Sequence, residues 1–192
     1  MRLGYLLNSI SLVLIFTGFV AFLPIIVALC YQDFNSAVPF VIAGVVACLS
    51  GLTCKFLLNK FLPQQKMTDI RKSEGLAIVL LSWIAFSIVV SIPYLFFGLG
   101  FVDSFFEGIS GVTTTGATIL THYDYPKALF FWRALSQWLG GMGIIILFIA
   151  VLPQFAVAGR QMFFAEAPGP TEDKLTPRIK NTASALWVLY TA

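Results

Sequence analysis

Charged and apolar positions fall along this chain in long blocks and not in short amphipathic periods. Residues 3–32, 34–54, 75–102 and 134–159 contain no Asp, Glu, Lys or Arg. An α-helix needs about 20 apolar residues to cross a bilayer, so each block is long enough to span one. The first block exceeds a signal-peptide core and lacks a small-residue cleavage site, which makes it an uncleaved span. Pro24, toward its far end, is placed to kink it. A short turn around Asp33 leads into the second block, and the two predict a transmembrane hairpin closed by Lys55 and Lys60.

The third block ends differently. Ile92-Pro93 is expected to bend or terminate its helix, and Gly98 and Gly100 loosen the chain beyond it. Asp103 is a candidate N-cap for a short helix through Val112, with Phe105, Phe106 and Ile109 as an apolar face. At about 1.5 Å per residue that helix is too short to cross a bilayer. Thr113-Thr114-Thr115-Gly116-Ala117-Thr118 follows, polar and uncharged. Residues 120–133 then return to the surface, where Tyr123, Tyr125 and Trp132 suit an interfacial belt. The fourth block comes next. A short helix, a polar loop and a long span together predict a re-entrant segment.

Irregular backbone at membrane depth is tolerated only where protein or a water-filled path covers it. A glycine among threonines can align consecutive carbonyl oxygens, because it reaches backbone angles others avoid. Such carbonyls can replace the water shell of a cation, and the negative end of the preceding helix dipole favours one there. Residues 113–118 therefore predict one wall of a cation path. Glu107, shortly before the loop, has two readings: it attracts cations to the mouth, or it hydrogen-bonds the loop amides from behind. Its mid-helix position favours support. Gly140, Gly141 and Gly143 in the fourth block permit close helix packing or a hinge, with packing favoured. His122 beside Asp124 reads as a surface residue, and Cys30, Cys48 and Cys54 as small core residues.

Composition narrows the class. The chain is 58% hydrophobic and 11% charged, with mean hydropathy +0.88, where soluble domains carry about 25% charged residues. This is an all-α integral membrane protein. Nucleic acid is excluded as a partner, because the basic residues lie in short loops with no interleaved aromatic platform. An intramembrane enzyme lacks a nucleophile, base and orienting group within reach of one another. All of the 12 basic residues except Lys127 and Arg133 fall at the start, in 55–74 or in 160–181. The positive-inside rule therefore places the N-terminus and both polar loops in the cytoplasm. Counting spans independently brings the threonine loop in from outside.

The residues 105–118, FFEGISGVTTTGAT, resemble the first pore loop of the Trk/Ktr/HKT potassium transporters. Residues 138–144, WLGGMGI, are similar to the start of the helix that follows it, and 165–170, AEAPGP, to the next cytoplasmic loop in the Trk membrane subunit. The extra N-terminal hairpin resembles the Trk branch. The resemblance implies a potassium-channel-like fold of four helix–pore-loop–helix repeats in a dimer. Thr113, Thr114, Thr115 and Gly116 would line the potassium path, with Thr114 and Thr115 as the main coordinating pair. Glu107, Ala117 and Thr118 would support that filter. Four segments follow: hairpin and loop (1–70), first repeat (71–160), cytoplasmic linker (161–182) and the truncated start of another span (183–192). One loop of four is not expected to conduct alone. The implied partners are a second copy, a cytoplasmic nucleotide-binding regulator of the Trk-A type and the lipid bilayer of a prokaryotic inner membrane. No cofactor is implied; potassium is the cargo. The competing reading is a multi-span anchoring or assembly module.

Overall fold

The computed structural model describes residues 3–61, 72–122, 124–143 and 185–191, all helix or connecting turn. The elements are α1 (Leu3–Val20), α2 (Leu23–Cys30), α3 (Phe34–Phe61), α4 (Lys72–Phe96) and α5 (Phe101–Val112). Two more follow, α6 (residues 127–143) and α7 (residues 185–191). Three stretches are long and apolar enough to cross a membrane: Leu6–Cys30, Phe34–Phe61 and Glu74–Phe96, of 25, 28 and 23 residues. The protein is a multi-pass membrane protein. Of the fourth block, α6 covers the first part; residues 144–159 and the linker 161–182 lie outside the described residues. The chain forms two compact units, one ending at Gln137 and the other beginning at Trp138.

Pro24 acts as its chemistry dictates. It cannot donate to the carbonyl of Val20 and its ring crowds that carbonyl. The first span accordingly divides after Val20, and α2 restarts with Pro24 in its first turn. The hairpin turn is then tightly written. Gln32 adopts a left-handed φ of 57°, while Gln32 N–H donates to Leu29 and Asp33 N–H to Ala28, the paired bonds of a Schellman stop. Asp33 next caps α3, its Oδ1 accepting from the Ser36 amide at 3.3 Å. The second span runs past its charge-free block. It stays helical to Phe61, because lysines are good helix formers whose stems lie along apolar surface with the ammonium in water.

The hairpin is held by small residues. A Cβ on Gly18 would lie 2.9 Å from the Cys48 amide nitrogen, and one on Gly51 2.8 Å from the Ser11 carbonyl. Backbones this close gain dispersion contacts that lipid tails cannot match. Cys48 and Cys54 belong to this seam, their thiols directed at the carbonyls of Ile15 and Leu7, whereas Cys30 is exposed and not a core residue. Buried Ser11 and Thr17 satisfy their hydroxyls on carbonyls of their own helix.

Pro93 neither ends nor breaks α4, which runs through it to Phe96. The carbonyl it leaves without a helix donor is that of Val89. One residue on, Trp132 Nε1 donates to the carbonyl of Val90 at 3.0 Å. Trp132 is therefore a core residue, fully buried, not part of an interfacial belt. It packs edge-on to Phe40 at 6.0 Å, within a core that also holds Val90, Tyr94, Val112 and Leu129.

After a left-handed Gly98 (φ 90°), α5 doubles back along α4. Its N-cap is Gly100, not Asp103; the cap lies three residues earlier than expected and Asp103 sits in the first turn. A Cβ on Gly108 would meet the Ser87 carbonyl at 2.7 Å, so the C-terminal half of α5 lies beside the middle of the third span. The helix is also inside out by soluble standards. Ser104, Glu107, Gly108, Ser110, Gly111 and Val112 are buried, while Phe106 and Ile109 are exposed. Small residues face the protein because that is where backbones approach.

Candidate functional site: a threonine loop held by a buried ion pair

The loop begins where α5 stops. Thr114 N–H donates to Gly111 and Thr115 N–H to Ser110. This is a Schellman stop whose left-handed position, normally glycine, is Thr114 with φ 59°. A β-branched residue there is a genuine outlier. Gly116 provides a second left-handed step at φ 74°. The two bends turn the backbone over within four residues.

Donors and acceptors are sorted by this geometry. From Thr113 to Gly116 every backbone N–H is bonded to a carbonyl of Ile109, Ser110 or Gly111. Thr113 Oγ1 donates to the Ile109 carbonyl at 2.7 Å. Its proton is thereby committed, so in the 2.8 Å contact between Thr113 Oγ1 and Thr115 Oγ1 it is Thr115 that donates. The hydroxyl protons of Thr113 and Thr115 are thus both used within the turn. Among the described residues, the carbonyl oxygens of Thr113, Thr114 and Thr115 accept no hydrogen bond. The loop residues themselves are exposed.

Behind the loop lies Glu107, fully buried. Its Oε1 accepts from Thr118 Oγ1 at 2.6 Å and from the Ile119 amide at 2.7 Å. Its Oε2 accepts from Arg133 Nε at 3.1 Å, an ion pair in which the arginine side chain is 21% exposed. Arg133 Nη2 donates in turn to the carbonyls of Gly116 at 2.9 Å and Ala117 at 3.2 Å. Ser110 Oγ reaches the same Ala117 oxygen at 2.6 Å. Glu107, Ala117 and Thr118 thus form one network, and Gly116 joins it through its carbonyl.

Sequence reasoning missed Arg133, counting it only as an outer-side charge. Its signal was present: a basic residue at the head of a long apolar block, in a chain whose short helix carries one acid, Glu107, beyond its first turn. Tyr94 was missed as well. It is fully buried beside this pair, and its hydroxyl has no hydrogen-bond partner among the described residues. Gly111 brings α5 against Ser136 of α6, a contact made outside the 140–143 glycine group. In the second unit, Gly141 lies against the Tyr190 hydroxyl, and Trp138 packs edge-on to Trp187. His122 is exposed. Among the described residues no cluster of His, Cys, Asp or Glu is arranged to hold a metal ion.

Comparison with known proteins places this arrangement in a family. A sequence model described as TrkH, cation transport protein, matches residues 40–192. The Trk system potassium uptake protein TrkH of Vibrio parahaemolyticus is 38% identical over 99% of this chain and 39% of its own length. That of Escherichia coli K12 is 40% identical over 93% of this chain and 37% of its own. The Trk system potassium uptake protein TrkG of the same organism is 34% identical over 87% of this chain. The chain therefore spans less than two-fifths of the length of these curated relatives. With a match over most of its residues, it belongs to the TrkH family of cation transport proteins.

Proposed function

We propose that this chain contributes one pore loop to a potassium-uptake transporter of a prokaryotic inner membrane, with its N-terminus in the cytoplasm. The observation that carries the reading is the sorting of the loop: the backbone N–H groups of residues 113–116 are all bonded back to α5, and among the described residues the carbonyls of Thr113, Thr114 and Thr115 accept no hydrogen bond. A run of free carbonyl acceptors whose amides are already bonded elsewhere suits a partly dehydrated cation. The chain's relatives are potassium uptake proteins by name, which selects potassium among cations. Thr113, Thr114, Thr115 and Gly116 line the path, with the Gly116 oxygen shared with Arg133. Oxygens on one side do not enclose an ion, so further loops complete the ring. A second copy of the membrane subunit and a cytoplasmic nucleotide-binding regulator of the Trk-A type are the assembly partners.

The test is rubidium uptake by the full-length protein in cells lacking other potassium uptake. Wild type restores uptake; Thr115→Val reduces it and alters the preference between rubidium and sodium. Uptake and preference both unchanged in Thr115→Val would leave an anchoring or assembly role as the better description.

A further inference from the structure

We propose that Arg133 is a positioning residue of the ion path, setting the geometry and field of the threonine loop through the carbonyls of Gly116 and Ala117. The proposal rests on the cation-path reading above and adds a residue to it.

The guanidinium makes three contacts at once: Nε to Glu107 Oε2, and Nη2 to the carbonyls of Gly116 and Ala117. Glu107 holds the next two residues of the same loop, through Thr118 Oγ1 and the Ile119 amide. One ion pair therefore fixes four consecutive residues, 116 to 119. A structural salt bridge alone needs only the Arg133–Glu107 contact. The two carbonyl contacts do something further. They orient the 116–117 and 117–118 peptide units, the first of them adjoining the plane that carries the Thr115 carbonyl, and each peptide plane fixes the direction of its neighbour through only two soft angles. They also occupy lone pairs on Gly116 and Ala117, concentrating the available acceptors on Thr113, Thr114 and Thr115. Position and field strength of the cation's ligands are thereby set by a residue on another helix.

Arginine is suited to this and lysine is not. Its planar fork reaches a carboxylate and carbonyls simultaneously, whereas an ammonium is one point charge on a flexible stem. The decisive variant is Arg133→Lys in the full-length protein, at matched membrane abundance, with rubidium and sodium uptake measured separately. Losing one charge-assisted hydrogen bond to the loop should reduce rubidium-over-sodium discrimination about tenfold, with maximal uptake less affected than apparent affinity. A general loss of structure would lower both uptakes in proportion. Should Arg133→Lys not reach the membrane, the double variant Glu107→Gln with Arg133→Met removes both charges together and reads the same ratio. Poor discrimination there supports the proposal. Wild-type discrimination in whichever variant is read overturns it. A wild-type protein that takes up no rubidium instead sinks the transport reading.

Discussion

Replacing Glu107 by Gln keeps the side chain's shape and removes its charge. In the native loop Oε1 serves Thr118 and Ile119, and Oε2 serves Arg133. Glutamine has one acceptor oxygen. If that oxygen keeps Thr118 and Ile119, the amide NH2 faces Arg133 Nε–H, donor against donor. Stripping a buried charge of its partner costs about 3–5 kcal/mol. Arg133 is 21% exposed and can turn partly to solvent, so the lower end, about 3 kcal/mol, is the appropriate magnitude. The loss falls on opening of the loop and not on the spans, whose backbone bonds are internal to each helix. Hydrogen exchange of the detergent-solubilised chain reads it directly, because the Ile119 amide is itself bonded to Glu107. Its exchange should accelerate roughly a hundredfold, together with the amides of Thr115 and Gly116, while α4 amides stay unchanged. Acceleration of less than about threefold at Ile119 would mean the carboxylate does not hold the loop.

Three other substitutions test separate parts of the account. Tyr94→Phe removes a buried hydroxyl without a partner among the described residues; an unmade hydrogen bond costs about 1–3 kcal/mol, so melting in detergent should stay level or rise, and a fall of more than about 3 °C would mean that the hydroxyl is bonded. Thr114→Asn keeps a polar side chain and suits the left-handed φ of 59° better; relief of about 1 kcal/mol of strain should slow exchange at the Thr115 amide roughly fivefold, and faster exchange would refute the strain. Gly51→Leu drives a side chain into Ile15 and the Ser11 carbonyl and should destabilise the hairpin by at least about 1–3 kcal/mol. Gly75→Leu, where nothing lies within 4 Å, is the matched control and should leave melting unchanged.

The first three spans were legible because their signal is additive: about 20 residues without charge describe a membrane helix whatever their order. The break at Pro24 was legible too, since proline acts on its own helix. What escaped depends on neighbours. Pro93 looks like a terminator, yet α4 runs through it, and the bond from Trp132 to Val90 beside it joins residues 42 positions apart. Trp132 itself resembles an interfacial aromatic until Phe40 is seen beside it. The apolar face of α5 was identified correctly as a face. Nothing in the sequence says that this face is exposed and the small polar one buried. At the loop, Gly116 announced an unusual backbone angle, but the equally unusual Thr114 carries no such mark. Arg133 was visible only as a charge, and its role exists in three dimensions alone.

An arginine beside a proposed cation path is, taken alone, electrostatically misplaced. A positive unit charge about 8 Å from a cation repels it by about 2 kcal/mol at an effective dielectric of 20, enough to reduce occupancy more than tenfold. Glu107 resolves the conflict. Its carboxylate is bonded to the same guanidinium, so the pair presents a dipole and little net charge. The loop retains the rigidity of charge-assisted bonds while the field on the Thr113–Thr115 side is left to the carbonyls. Glu107→Gln therefore acts twice, loosening residues 116 to 119 and exposing an uncompensated positive charge. The two effects separate by ionic strength. Charge repulsion through the partly exposed side of Arg133 weakens as salt rises, whereas lost hydrogen bonds do not return. Recovery of part, but not all, of the rubidium uptake of Glu107→Gln at high impermeant salt is the expected result. No recovery at all would remove the electrostatic half of the argument and leave the mechanical half standing.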